Sequence, residues 1–187
     1  EEFIKDKKIL GRIEKYADVC DDLHTDLHEC LGHGSGQLLP GVDPDALLAY
    51  GNTIEEARAD LFGLYYMADE KLVELGLLPN NEAYKAHYYT YMLNGLMTQL
   101  VRIEPGHQIE EAHMRNRALI ARWCLAHANS MNLTHKHGYY ELEIGSFEEL
   151  RNLFAELLAE IQRIKSEGDY KTARELVETY AITDDSE

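Results

Sequence analysis

TIEEARADLFGLYYMADEKLVEL, residues 53–75, places apolar side chains at Ala57, Leu61, Leu64, Tyr65, Ala68, Leu72 and Leu75. Steps of three and four follow the 3.6-residue helical turn, so the segment predicts a long helix with one buried face. The same period runs through most of the chain. Before this segment, a weakly amphipathic helix is expected over 3–16, and a second from about 21 into His33, stopped by Gly34-Ser35-Gly36. Residues 37–45 hold Pro40 and Pro44 and read as a loop, followed by a short helix over 46–50 and a stop at Gly51-Asn52. After it come a tyrosine-rich helix from 82 to about 101 and another over 108–128, with Leu119, Ile120 and Trp123 turned inward. Residues 139–144 alternate and form the one expected strand. Ser146 with Glu149 resembles a capping box opening a helix to about 165, and a last helix covers 170–180. The fold class read from this pattern is all-α, a single domain over 1–187 with about seven helices and at most a minor β element near 139–144.

Composition agrees with that class and narrows the partners. The chain has 187 residues, enough for one domain with a core, and its 45% hydrophobic and 28% charged residues suit a globular protein. With 34 acidic against 18 basic residues the formal charge is -16, which repels phosphate backbones, so no nucleic-acid partner is expected. No apolar run approaches the ~18 residues of a membrane span, so no membrane partner is expected either. Cys20, Cys30 and Cys124 offer neither a disulfide framework nor a CxxC pair, which suits reduced thiols in a cytoplasmic protein. The first residue is Glu1 rather than Met, and no signal segment follows it. The chain is expected to be a fragment of a longer one.

Chemistry concentrates in His28-Glu29-Cys30-Leu31-Gly32-His33. Zinc peptidases commonly carry two histidines at i and i+4 on a helix, with a glutamate beside the first. Here the gap is five residues, which leaves the two rings about 140° apart on a regular helix. Both can face one ion only if the helix widens locally, as a π-bulge does, and Gly32 would ease that distortion. His24 and His28 form a regular i,i+4 pair and are a rival ligand pair. A second helix supplies carboxylates in Glu55-Glu56-Ala57-Arg58-Ala59-Asp60, with Glu56 and Asp60 on one face. Two histidines and a carboxylate leave a fourth position for water, the pattern of a catalytic zinc. Glu56 has a competing reading, because Thr53-x-x-Glu56 also fits a capping box. That role lapses if the helix begins at Asn52 or Gly51.

HECLGHGSG followed by EEARAD resembles the paired HExxGH and EExR(A/K)A(D/E) motifs of the dipeptidyl peptidase III family of zinc-dependent exopeptidases. Ala112-His113-Met114-x-x-Arg117 is similar to that family's segment carrying a histidine that contacts the scissile carbonyl. The similarity covers nearly the whole chain, and the short interval between the motifs is as in bacterial members. The resemblance implies one Zn2+ per chain held by His28, His33 and Glu56, with Glu29 activating water. It implies that Glu55 and Asp60 hold the outer ring nitrogens of the two histidines. It makes His113 a stabiliser of the tetrahedral intermediate and Arg117, one turn on, a substrate contact. His24, His87, His107, His127, His135 and His137 match no role in the family.

The activity implied is release of dipeptides from the N-terminus of oligopeptides by metal-activated water. Family members are two-lobed and much longer. The resemblance therefore implies the helical catalytic lobe, separated from a second lobe of the same chain and weakly active alone. Two other readings stay open: a non-catalytic helical module with a degenerate metal site, and a metal-dependent hydrolase of another substrate class.

Overall fold

The computed structural model describes residues 7–98, 112–136 and 139–181. Helix α1, Lys7–Leu27, runs without a break into a π-helical turn, His28–His33. The two separate helices expected from the sequence are one. Ala17, Asp18, Val19 and Cys20 contain no helix breaker, and Cys20 is fully buried, so packing carries the helix through.

A 3-10 turn, Leu48–Tyr50, leads directly into α2, Gly51–Met67. No stop occurs at Gly51-Asn52, for Gly51 has helical φ and ψ of -56° and -46°. Thr53 therefore lies inside the helix, 2% exposed, and the capping box with Glu56 does not form. At its other end α2 stops short of residue 75. Asp69 turns extended, and its side chain accepts from the Lys71 N–H, capping a separate short helix α3, Glu70–Glu74. A local N-cap outweighs the continuing apolar period.

Helix α4, Ala83–Leu93, is followed by a second π-helical turn, Asn94–Thr98. Helix α5 spans Ala112–His127. The hairpin pairs β1, Met131–Lys136, antiparallel with β2, Tyr139–Ile144, setting Leu133 opposite Leu142. The sequence reading found β2 and missed β1, whose polar, short MNLTHK has little intrinsic signal. Pairing with β2 makes it a strand.

Helix α6, Phe147–Glu167, opens on Ser146, whose hydroxyl accepts from the Glu149 N–H. Only half of the capping box is present. The Glu149 carboxylate instead takes the backbone N–H groups of Asn129 and Ser130 and the Ser130 hydroxyl, which ties α6 to the start of the hairpin. Helix α7 spans Tyr170–Tyr180, as expected.

The described residues thus form an all-α fold with one small hairpin. Helix α2 is its axis, packed against α1 and its π turn, α5 and α6. The periodicity predicted one buried face on α2, but Thr53, Ile54, Ala57, Arg58, Ala59, Asp60, Leu61, Gly63, Leu64 and Met67 are all buried. A helix covered on nearly every side must find partners for each polar group it carries. Those partners build the site.

Candidate metal centre

The widened turn expected between the two histidines is present. Gly34 N–H donates to the Glu29 carbonyl at 3.2 Å, five residues back, and the turn spans His28–His33. Gly32 is needed there for a reason beyond backbone freedom. A Cβ on it would lie 2.6 Å from Ala59 Cα, so only glycine lets the turn rest on the backbone of α2.

Placed this way, the imidazoles of His28 and His33 meet edge to face, with centroids 4.6 Å apart. Their Nε2 atoms are 3.0 Å apart. Glu56, from the second turn of α2, brings its carboxylate to 3.4 Å from Nε2 of His28 and 3.8 Å from Nε2 of His33. Glu29 is exposed on the same turn, with a carboxylate oxygen within 4.8 Å of a ring nitrogen of each histidine.

The outer nitrogens fix the tautomers. Nδ1 of His28 lies 2.7 Å from Oδ1 of Asp60, and Nδ1 of His33 lies 2.9 Å from Oε1 of Glu55. Both carboxylates are acceptors, so each Nδ1 carries the hydrogen, and each ring, when neutral, has its lone pair on Nε2. Two lone pairs and a carboxylate at these separations repel one another unless a metal ion or a proton lies among them. With bonds of about 2.0–2.1 Å to a tetrahedral zinc, neighbouring ligand atoms sit roughly 3.3 Å apart. The observed 3.0, 3.4 and 3.8 Å surround that value, so the donor set and its spacing fit zinc with one position open.

Asp60 is 5% exposed and holds four donors from four elements. Oδ1 takes Nδ1 of His28 and Nε2 of His24, at 2.7 and 3.2 Å. Oδ2 takes the Tyr91 hydroxyl from α4 at 2.6 Å and the Asn116 amide from α5 at 3.1 Å. Burial alone would raise its pKa, but these bonds, led by His24 and His28, hold it well below the usual carboxylate range. Asp60 in turn raises the pKa of His28, against the opposing pull of burial. Burial and the Asp60 charge push Tyr91 far up, so it remains a neutral donor.

Glu55 is held differently. Burial pulls its pKa upward, but bonds from Arg58, Lys165 and His33 outweigh that and bring it to about 2. Arg58 is fully buried and donates to Glu55 through Nε and Nη2 at 3.1 and 2.9 Å. Its Nη2 also reaches the Gly32 carbonyl at 2.8 Å, and Nη1 reaches the Ser35 hydroxyl at 3.2 Å. One guanidinium thus joins the end of the π turn to the carboxylate that orients His33. Lys165 of α6 closes on the other Glu55 oxygen.

The structure therefore brings together His28, Glu29, His33, Glu55, Glu56 and Asp60. Arg117 lies half-buried on α5. His113 belongs to the first turn of α5, and its side chain lies outside the described residues, as do His107 and His137. Sequence reading left Arg58, Lys165, Tyr91 and Asn116 without roles and weighed His24 only as a rival ligand. Arg58 stood inside the quoted motif and His24 one turn before His28. Tyr91 and Asn116 carried no local signal.

Residues 44–186 match the family profile of peptidase family M49. The DPP III structure from Caldithrix abyssi is similar with 26% identity and a TM-score of 0.68, over 94% of this chain and 34% of that one. The dipeptidyl-peptidase III structure from Corallococcus sp. strain EGB is similar with 25% identity and a TM-score of 0.65, over 85% of this chain and 28% of that one. The chain thus spans about a third of the length of these solved structures. No curated protein matches it.

Proposed function

The chain belongs to peptidase family M49, and from that premise we propose that it carries the zinc-dependent site with which a longer protein releases dipeptides from the N-terminus of oligopeptides. The observation that supports this most is the meeting of His28 Nε2, His33 Nε2 and the Glu56 carboxylate, with each outer Nδ1 committed to a carboxylate and Glu29 beside them.

Zinc, when bound, supplies Lewis acidity that acidifies water and polarises a peptide carbonyl. The rest falls to the chain's own groups. His28, His33 and Glu56 would hold the ion, and the Nδ1–H bonds to Asp60 and Glu55 fix their aim. Glu29 takes the proton of the attacking water and returns it to the departing amine. His113 and Arg117 are proposed to meet the substrate from α5. A cleft of about 760 Å³ lies beside Glu55, lined in part by Leu38, Leu48 and Asn52. The ammonium anchor and the remainder of the peptide groove would come from the second lobe of the longer chain.

Elemental analysis after zinc loading and gel filtration is the test. One zinc per chain is expected in the wild type and far less in Glu56→Ala, and equal zinc in both would remove Glu56 from the ligand set. Turnover of a chromogenic dipeptidyl substrate by this chain alone is expected to match Glu29→Ala, because losing substrate orientation can remove roughly 7–11 kcal/mol of barrier lowering. Robust turnover that depends on Glu29 would place substrate binding on this chain instead.

A further inference from the structure

We propose that His24 is a positioning residue for this centre: it fixes the Asp60 carboxylate from behind and, through it, the ring of His28. The inference rests on the metal-centre reading above and adds to it a residue one helical turn before the first motif histidine.

His24 on α1 and His28 at the start of the π turn that continues it point the same way, as residues four apart do. Both reach the same oxygen, Oδ1 of Asp60, at 3.2 and 2.7 Å. His24 is 9% exposed and lies against α2, where a Cβ on Gly63 would come within 2.9 Å of its ring atoms. Glycine at 63 is thus the space into which the imidazole fits. The His87 ring covers its other side, with centroids 4.7 Å apart. Enclosed between α2 and His87, the ring turns Nε2 to Asp60.

The alternative, in which His24, His28 and Asp60 hold an ion of their own, conflicts with the shortest of their distances. Nδ1 of His28 lies 2.7 Å from Asp60, a direct hydrogen bond, whereas two ligands of one tetrahedral zinc stand roughly 3.3 Å apart. That Nδ1 also needs its hydrogen so that Nε2 can face Glu56 and His33. His24 is therefore a donor to the carboxylate and not a rival ligand.

Its contribution is geometric. Tyr91 and Asn116 hold Oδ2. Without His24, Oδ1 keeps His28 as its one donor, and the carboxylate can rotate about its other end, carrying the His28 ring with it. Outer partners of zinc histidines change metal affinity by about 10–100-fold. His24, one bond further out, should lie at the low end.

The test compares zinc affinity, by competition with a chromophoric chelator, for wild type, His24→Phe, His24→Met and His24→Gln. Urea unfolding of the metal-free proteins is measured alongside. Phe and Met fill the space without a donor, whereas the Gln amide reaches about where Nε2 does. About tenfold weaker zinc binding is expected for Phe and Met, with most of the affinity regained in Gln. A purely structural role would lower metal-free stability in all three and give no rescue by Gln. Binding by Phe and Met within about twofold of wild type overturns the proposal, as does a Gln variant no better than Phe. If Phe and Met do not fold, Gln decides alone: within about threefold of wild type supports the role, and a tenfold loss overturns it. A wild type that takes up no zinc overturns the metal-centre reading itself, a result distinct from all of these.

Discussion

His28 and His33 have the same proposed role in the site, and the protein supports them in opposite ways. His28 leans on Asp60, a buried carboxylate surrounded by donors from α1, its π turn, α4 and α5. His33 leans on Glu55, a partly exposed carboxylate held by two cations, Arg58 and Lys165. In the interior an unpaired charge is very costly, so four precisely aimed hydrogen bonds stabilise Asp60. Glu55 is less buried, with 24% of its side chain exposed, and two cations, one of them the fully buried Arg58, balance its charge. The buried half should therefore be rigid and intolerant, and the exposed half tolerant.

Asp60→Asn is the harshest test of that contrast. An amide keeps one acceptor oxygen but turns an NH2 toward donors, leaving buried groups unpaired at a cost of about 3–5 kcal/mol. Urea unfolding of the metal-free protein should show this loss, and zinc affinity should fall about hundredfold. A variant as stable as wild type would mean that the interior network is far less tightly coupled than its distances suggest.

The pH dependence sharpens the same point. Asp60 raises the pKa of His28, so a proton competes with metal there at a pH above the ordinary histidine value of 6.5. Zinc affinity, followed by chelator competition, should begin to decline above pH 6.5 as acid is added, and in Asp60→Asn the decline should move to lower pH. For the metal-free protein the signs separate. The raised His28 contributes stability that is full below pH 6.5 and lost as pH rises through its folded pKa. The lowered Asp60 and Glu55 contribute stability present above about pH 4.5 and lost as pH falls toward their folded values. Metal-free stability should thus peak between these two ranges.

Glu55→Gln should be milder. The amide oxygen can still accept from His33 Nδ1, while Arg58 loses one strong partner and keeps the Gly32 carbonyl. About a tenfold loss of zinc affinity is expected, with a stability loss smaller than that of Asp60→Asn because the amide oxygen still accepts from the buried Arg58, read by the same two measurements. Lys165→Met should do least. Its ion pair with Glu55 is partly exposed, so zinc affinity should stay within about twofold. A larger effect for Lys165 than for Asp60 would reverse the proposed division of the site.

Local sequence carried much of this. Helical period marked α2, α6 and α7, since an amphipathic helix writes its buried face at fixed intervals. The five-residue gap from His28 to His33 required a widened turn if both rings were to meet, and chain geometry alone imposed that condition. The carboxylates of Glu55, Glu56 and Asp60 were visible because they stand on one helix. What packing decided was less visible. Thr53 lies inside α2 because the helix starts at Gly51, and so Glu56 is released from a capping role. Gly32 is glycine because Ala59 lies against it, and Gly63 because His24 does. Asp60 is saturated by Tyr91 and Asn116, distant in sequence on two other helices. Periodicity and spacing are properties of one segment and can be read from it. Which donor fills which lone pair depends on how segments meet, and only the tertiary structure decides that.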